Sequence, residues 1–273
     1  MRMVVKLAGA LLERDQDVQA LARQIAELAH AGHELLVVHG GGKIFTNMLV
    51  RMGISSRFVN GLRITDRETR DAAVMVFAGL LNKKVSGAIS LAGQPAIGIS
   101  AADAACFLAE PMQLDELEGL GFVGYLTEVN VDFLRSLWRE GIVPVASCMG
   151  LGADGELYNI NADHMAAAAA EFVGAERLIF LTDVAGVLDD GKVLRAVRGA
   201  EIEDLIRRNK VSGGMILKLE AAKRALSGGV SEVRIVGGTQ PRALLAAAGG
   251  TRGPGTRVLP VVRMSARAAH GAA

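Results

Sequence analysis

The chain has 273 residues, enough for one large or two modest domains, and a formal net charge of only +1. So balanced a charge offers nothing to a polyanion or an anionic surface, which argues against nucleic-acid and membrane partners. The cysteines, Cys106 and Cys148, are two and sit in apolar surroundings; they read as buried thiols of a reducing compartment, and with no signal peptide and no apolar run of 18 residues the expectation is a cytoplasmic protein.

Met3–Leu7 reads as a buried strand that nevertheless carries Lys6. After Ala8-Gly9, a helix is predicted over Gln16–Ala31, with Val18, Leu21, Ile25 and Leu28 on one face and Gly32 closing it. Strand Glu34–His39 stops in Gly40-Gly41-Gly42, and a helix follows from Lys43 to Met52. Bare glycine amides between a buried strand and a helix start suit an anion, with a plain tight turn as the alternative. The stretch is not a P-loop, because no glycine precedes Gly42 by five residues and Ile44 follows Lys43. Nor is it the dinucleotide fingerprint, since Phe45 stands at the third glycine. Strand and helix alternating across short connections predict a parallel sheet.

Arg51–Asn60 reads as a polar connection and Gly61–Ile64 as a hairpin arm that carries Arg63. Thr65-Asp66-Arg67-Glu68 has the form of a capping box and opens the longest predicted helix, which runs to about Ala92. Pro95–Ser100 is a strand, Ala101–Gly124 irregular, with small strands and turns over the sheet, Val129–Glu140 a helix and Ile142–Ala146 a strand. Asp154-Gly155 signals a hairpin with Glu156–Tyr158 returning, and Asn159–Asp163 opens a helix of nearly pure alanine. The pattern restarts after Gly174, which places a lobe boundary there: strand Arg177–Leu181, helix Glu201–Arg208, helix Met215–Leu226, strand Val233–Val236, helix Arg242–Ala247 and strand Thr256–Leu259. Arg263–Ala273 is small, basic and expected to be disordered.

Four features carry chemistry, each with a bland alternative. Lys6 lies at the C-terminal end of the first strand, where open α/β sheets place ligands, and its burial calls for an anion; it otherwise snorkels from an edge strand. Arg63 suits a bidentate grip on a carboxylate, or is simply solvated. Asn159, Asn161 and Asp163 crowd a helix start, where Asn161 also suits an N-cap, and Lys218 lies one turn into a helix opened by Gly213-Gly214 or on that helix's exposed side. No catalytic His or Cys motif appears; His39 and His164 read as structural.

Taken in order, Lys6–Gly9, His39–Gly42, Asn60–Arg63, Asn159–Asp163, Leu181–Leu188 and Gly214–Lys218 resemble the motifs of the amino acid kinase family over roughly residues 3–259. The resemblance implies an α/β fold: a three-layer α/β/α sandwich with a mainly parallel open sheet and two lobes. Residues 1–174 would hold the amino-acid substrate and the dimer contact, and residues 175–262 the nucleotide. The asparagine cluster and Asn60–Thr65 further resemble members acting on N-acetyl-L-glutamate, which implies ATP-dependent phosphorylation of its γ-carboxylate, the second step of arginine biosynthesis. On that resemblance, Gly41 and Gly42 bind substrate through backbone N–H groups, and Arg63 and Asn159, with Asn161, fix its α-carboxylate and acetamido end. Lys6 and Lys218 lie across the transferring phosphoryl group, with Asp163 between them. Gly9, Thr182, Asp183 and Met215 border the ATP, and Mg2+ is held mainly by phosphates, with no protein ligand named. A kinase for a carrier-bound aminoadipate or glutamate, and a degenerate nucleotide-binding sensor, are the alternatives. The resemblance also implies a homodimer through the Thr65–Ala92 helix, with Met75 and Phe77 in the contact. Arginine inhibition is not expected, because relatives that show it carry a helix ahead of the first strand, which here begins by Met3. Two places depart from the family's pattern: the loop Gly98–Asp103 is richer in alanine than its counterpart, and Ala8 replaces a glycine. The expectation is negative φ there, a methyl packed on the strand, and an amide aimed at a phosphate.

Overall fold

The computed structural model describes residues 1–113, 119–250 and 253–260, so the expected tail Arg263–Ala273 lies outside the described residues. Eight strands form the main sheet: β1 (Arg2–Leu7), β2 (Glu34–His39), β3 (Ala96–Ile99), β4 (Val143–Ser147), β5 (Arg177–Thr182), β6 (Ala196–Arg198), β7 (Glu232–Gly237) and β8 (Thr256–Leu259). Their spatial order is β6-β8-β7-β5-β1-β2-β4-β3, and every adjacent pair is parallel except β7 with β8. The helices are α1 (Asp15–His30), α2 (Gly42–Arg51), α3 (Arg67–Leu91), α4 (Val131–Arg139), α5 (Ala162–Phe172), α6 (Ile202–Arg207), α7 (Gly214–Ser227) and α8 (Ala243–Ala248).

The central strands are apolar almost throughout because helices cover both faces of the sheet. Alternate residues divide between two cores. Val4, Leu36, Val38, Leu178 and Phe180 face α2, α5 and α7. Met3, Val5, Leu7, Leu35, Val37 and Ile179 face α1, α8 and the C-terminal end of α3. This is the three-layer sandwich the motifs imply. The alanine helix α5 is buried between β1 and α7, where small side chains let backbones approach closely. A second, four-stranded sheet (Phe107–Pro111, Gly124–Val129, Met149–Leu151, Leu157–Asn159) stands over the C-terminal edge of β2 and β4 and brings Asn159 to the site. Its Phe107–Pro111 strand lies within the stretch that reads in the sequence as irregular, and its Gly124–Val129 strand ends where a helix was expected to begin, so α4 starts after it at Val131.

Two local expectations change. The long helix is capped by Asp66, whose carboxylate accepts from the Thr69 amide, and not by Thr65. Thr65 is taken by the second layer: its amide donates to Leu120 and its carbonyl accepts from Phe122. Between Val74 and Leu81 this helix widens to a π-helix, which residue periodicity does not reveal. Phe77 is 3% exposed and belongs to the core, so of the two expected contact residues only Met75 is exposed, and Leu80 joins it on the outer side of the π-helical stretch at 57% and 52% exposure. α3 is long and apolar enough to cross a membrane by length and composition, and half of that stretch is buried within the fold.

Candidate active site

The C-terminal ends of β1, β2 and β5 meet beneath α2, α5 and α7. There the chain leaves the central β1 first to one side, for β2, and later places β5 on the other. Open sheets of this kind bind ligands at such a crevice. A cavity of about 210 Å³ opens at this point, lined by Lys6, Gly9, Gly41, Gly42, Arg63, Asn159, Asn161 and Asp163 among others. Eight residues singled out in the sequence, from four segments, thus share one cavity.

Alternation along β1 sends Lys6 to the same side as Val4, toward the first turn of α5. Its Nζ lies 2.7 Å from Oδ1 of Asp163. Lys218, on the first turn of α7, donates to Oδ2 of the same carboxylate at 2.7 Å. All three side chains are nearly buried, each residue 7% exposed. Burial pushes the Asp163 carboxyl up, but the charges and hydrogen bonds of the two ammonium groups outweigh it and hold the pKa at about 2. Lys218 is lowered, first by burial and then by the Lys6 ammonium. The cluster therefore carries two cations on one anion and a net positive charge; Lys6 and Asp163 line the cavity, and Lys218 reaches the cluster from outside its lining.

The glycine loops are glycine for steric reasons. A Cβ on Gly9 would lie 2.7 Å from the Gly41 Cα, and one on Gly41 would lie 2.2 Å from Leu81 Cδ1. Gly41 caps the start of α2 without a side chain, so the first amides of that helix belong to the cavity wall. Ala8 has φ −69° and its methyl packs against the α1-side core, as expected. Its amide does not face a phosphate: it donates to the Leu181 carbonyl at 2.9 Å and ties β1 to β5.

Arg63 is 8% exposed and stacked between the rings of Phe45 and Phe58, at 4.9 and 4.5 Å. Its hydrogen-bond acceptors among the described residues are all neutral: Ser56 Oγ, Thr46 Oγ1 at 2.6 Å and the Gly42 carbonyl at 3.4 Å. Burial lowers its pKa, and it stays a cation. Asn159 donates to Thr65 Oγ1, which donates to the Arg63 carbonyl, so the two substrate-side candidates are tied together. Asn161 caps α5, accepting from the amides of Asp163 and His164.

Thr182 and Asp183 sit at the end of β5, joined by a 3.0 Å hydrogen bond, outside this cavity; the Asp183 charge acts on Lys218. Met215 is half-buried against the core on the first turn of α7, also outside it. Sequence reasoning missed Phe45, Phe58, Ser56 and Thr46 around Arg63. Only Thr46, four residues beyond Gly42 on α2, carries a local signal, because i and i+4 share a helix face. Among the described residues, no three histidines, cysteines or carboxylates cluster to cage a metal.

A model of the amino acid kinase family matches residues 1–237, which include every residue of this site. The chain belongs to the amino acid kinase family. Acetylglutamate kinase of Koribacter versatilis (strain Ellin345) is 49% identical over 245 residues, which cover 89% of this chain and 93% of that protein. Acetylglutamate kinase of Solibacter usitatus (strain Ellin6076) is 46% identical over 245 residues, 89% of this chain and 94% of that protein. The amino acid kinase fold is also that of two solved structures. N-acetylglutamate synthase from Neisseria gonorrhoeae, complexed with coenzyme A and N-acetyl-glutamate, superposes with a TM-score of 0.85 at 24% identity, covering 94% of this chain and 59% of that one. Carbamate kinase from Giardia lamblia bound to AMP-PNP gives 0.69 at 14% identity, covering 95% and 98%.

Proposed function

We propose that this amino acid kinase transfers the γ-phosphoryl group of ATP to the γ-carboxylate of N-acetyl-L-glutamate, the second step of arginine biosynthesis, in the cytoplasm and as a homodimer. The observation that carries the reading is the buried Asp163 gripped by Lys6 and Lys218 at one side of a cavity that also holds the stacked cation Arg63. The acetylglutamate kinases at 49% and 46% identity support the substrate.

The acceptor carboxylate is already ionised at neutral pH, so the reaction needs no general base. What it needs is two anions brought into line and the charge of the transferring group neutralised. Lys6 and Lys218, spaced by Asp163, lie across that group, and the Gly41 and Gly42 amides bind the substrate beside it. Arg63 takes the α-carboxylate, and its guanidinium is held flat by two phenyl rings so that its fork is presented ready-made. Asn159 takes the acetamido end. In this reading residues 1–174 form the amino-acid lobe and residues 175–262 the nucleotide lobe, where Gly9, Thr182, Asp183 and Met215 border MgATP. The phosphate oxygens and water carry the magnesium, and Asp163, committed to two lysines, is not asked to hold it. A coupled ADP-release assay over N-acetylglutamate, glutamate, aspartate and carbamate tests the proposal. Turnover confined to N-acetylglutamate is expected, and turnover with carbamate or free glutamate instead would overturn it.

A further inference from the structure

His39, the last residue of β2, is fully buried beside the glycine loop, and the chemistry above leaves it without a task. Its Nδ1 lies 3.2 Å from the Gly40 carbonyl oxygen and its Nε2 lies 3.2 Å from Nδ2 of Asn82. A carbonyl can only accept, so Nδ1 carries the proton; an amide nitrogen can only donate, so Nε2 presents its lone pair. The orientation of the Asn82 amide is itself fixed, because the same Nδ2 donates to the Val145 carbonyl at 2.8 Å. On its other side Asn82 is wedged against Gly98, where a Cβ would lie 1.9 Å from its Oδ1. The tautomer protonated at Nδ1 satisfies both ring nitrogens of His39, while the buried Oδ1 of Asn82 is left without a hydrogen-bond partner.

The consequence falls on the loop. A peptide unit is planar and trans, so its C=O and N–H point in opposite directions. Holding the Gly40 oxygen against the His39 ring turns the N–H of Gly41 away from that ring, toward the cavity that Gly41 lines. The loop cannot relax sideways, since Gly41 is packed against both Gly9 and Leu81. Leu81 and Asn82 are consecutive on α3, at the end of its π-helical stretch, and Phe77, five residues before Asn82, also turns inward to the cavity.

We propose that Asn82 and His39 are positioning residues for the phosphoryl transfer: the Asn82 amide fixes the imidazole tautomer, and the imidazole fixes the Gly40–Gly41 peptide so that the Gly41 N–H is aimed at the reacting groups. This deepens the kinase reading and rests on it. Burial lowers the His39 pKa to about 4, with the Lys6 charge acting the same way, so the ring stays neutral across the physiological range.

Nitrogen-15 NMR of the His39 ring in the unaltered protein should show the proton on Nδ1, with no titration between about pH 5 and 8. A proton on Nε2 overturns the proposal whether or not the protein turns over any substrate. Asn82→Ala should lower kcat by about tenfold or more, because misplacement of a reacting geometry is that costly, while KM for both substrates stays within about threefold. Unchanged kcat in a folded variant overturns it, and so does a fall in kcat with the Nδ1 tautomer intact. If Asn82→Ala does not fold, the isosteric Asn82→Asp serves: a carboxylate beside Nε2 should draw the proton there and lower kcat together, and an unmoved proton overturns the proposal. Failure of the unaltered protein to phosphorylate N-acetylglutamate would sink the kinase reading and leave the tautomer assignment standing.

Discussion

Asp163 shows how one side chain can be both structural and functional. Placed between two buried ammonium groups, it makes their closeness tolerable, yet it leaves the cluster with an excess positive charge. Lys218→Ala should therefore lower kcat by roughly 10²- to 10³-fold with the fold intact, because preorganised charge on a transferring group is worth several kcal/mol; a variant within twofold of the parent would remove Lys218 from the mechanism. Arg63→Lys keeps the charge and loses the flat fork held between Phe45 and Phe58. KM for N-acetylglutamate should then rise about tenfold while KM for ATP stays within twofold, and equal effects on both would make Arg63 a merely structural cation. His39 sets a pH dependence of stability. Unfolded, it takes up a proton below its ordinary 6.5; folded, it resists until about 4. Between those values the unfolded state holds more protons, so stability must fall with pH, by roughly 3 kcal/mol by pH 4. Asp163 adds to the loss below that, as the pH falls toward its folded value of about 2. Urea midpoints between pH 7 and 4 check this: a flat profile would mean that His39 is protonated in the folded protein. Lys6 and the Asn159–Asp163 cluster were legible in the sequence because each breaks a local rule, a lysine in an apolar strand and polar side chains crowded at a helix start, whereas His39 read only as structural. The Arg63 stack was not legible, since Phe45 and Phe58 lie on separate elements and obey the rules of both.

At the scale of elements, apolar runs and glycine punctuation placed every named helix and every main-sheet strand but β6 to within a few residues, but gave no bounds for most of the second sheet. What they did not give has physical reasons. The Asp66 cap was misplaced because Thr65 and Asp66 are both capping residues, and the choice is made by a tertiary contact: Thr65 is claimed by the Leu120–Phe122 segment. The Ala8 amide was misassigned for a related reason, its acceptor being a β5 carbonyl far away in sequence. The π-helical stretch of α3 leaves no trace in a residue pattern read at ordinary helical spacing. A further element-level feature, wholly invisible to periodicity, lies at the opposite edge of the sheet. Glu232, opening β7, is shared by Arg177 at 3.0 Å, by the fully buried Arg234 at 3.2 Å and by Arg257. Arg177 also donates to the final carbonyls of α8, at Ala247, Ala248 and Gly249. Glu232→Gln leaves three guanidinium groups without their common anion, and breaking a buried pair from one side costs about 3–5 kcal/mol. A thermal transition lowered by many degrees is expected, with kcat and both KM values unchanged in the protein that remains folded. A shift of only a degree or two would show that the α8 carbonyls suffice for these arginines.

For the whole molecule, α3 joins the site to the surface. Its inner side supplies Phe77 to the cavity wall, Leu81 to the glycine loop and Asn82 to His39, while Met75 and Leu80 face outward. In a π-helical turn, residues five apart align along the axis, which stacks those two apolar side chains on one exposed face as it stacks Phe77 and Asn82 on the buried one. An apolar strip on the longest helix, with Val50, Met52 and Phe58 also exposed among nearby segments, is the kind of surface that a self-complementary twofold contact covers. The homodimer should therefore form through α3. Light scattering of the parent should give twice the chain mass at micromolar concentration. Met75→Glu with Leu80→Glu should give the single-chain mass with unchanged circular dichroism, since neither side chain contributes to the core. If the contact also holds the π-helical stretch in register, the monomer should lose kcat more than it gains in either KM, because Phe77, Leu81 and Asn82 then lose their common support. A parent that is monomeric, or a double variant that remains dimeric, would place the contact elsewhere, and a fully active monomer would show that α3 holds its π register without a partner.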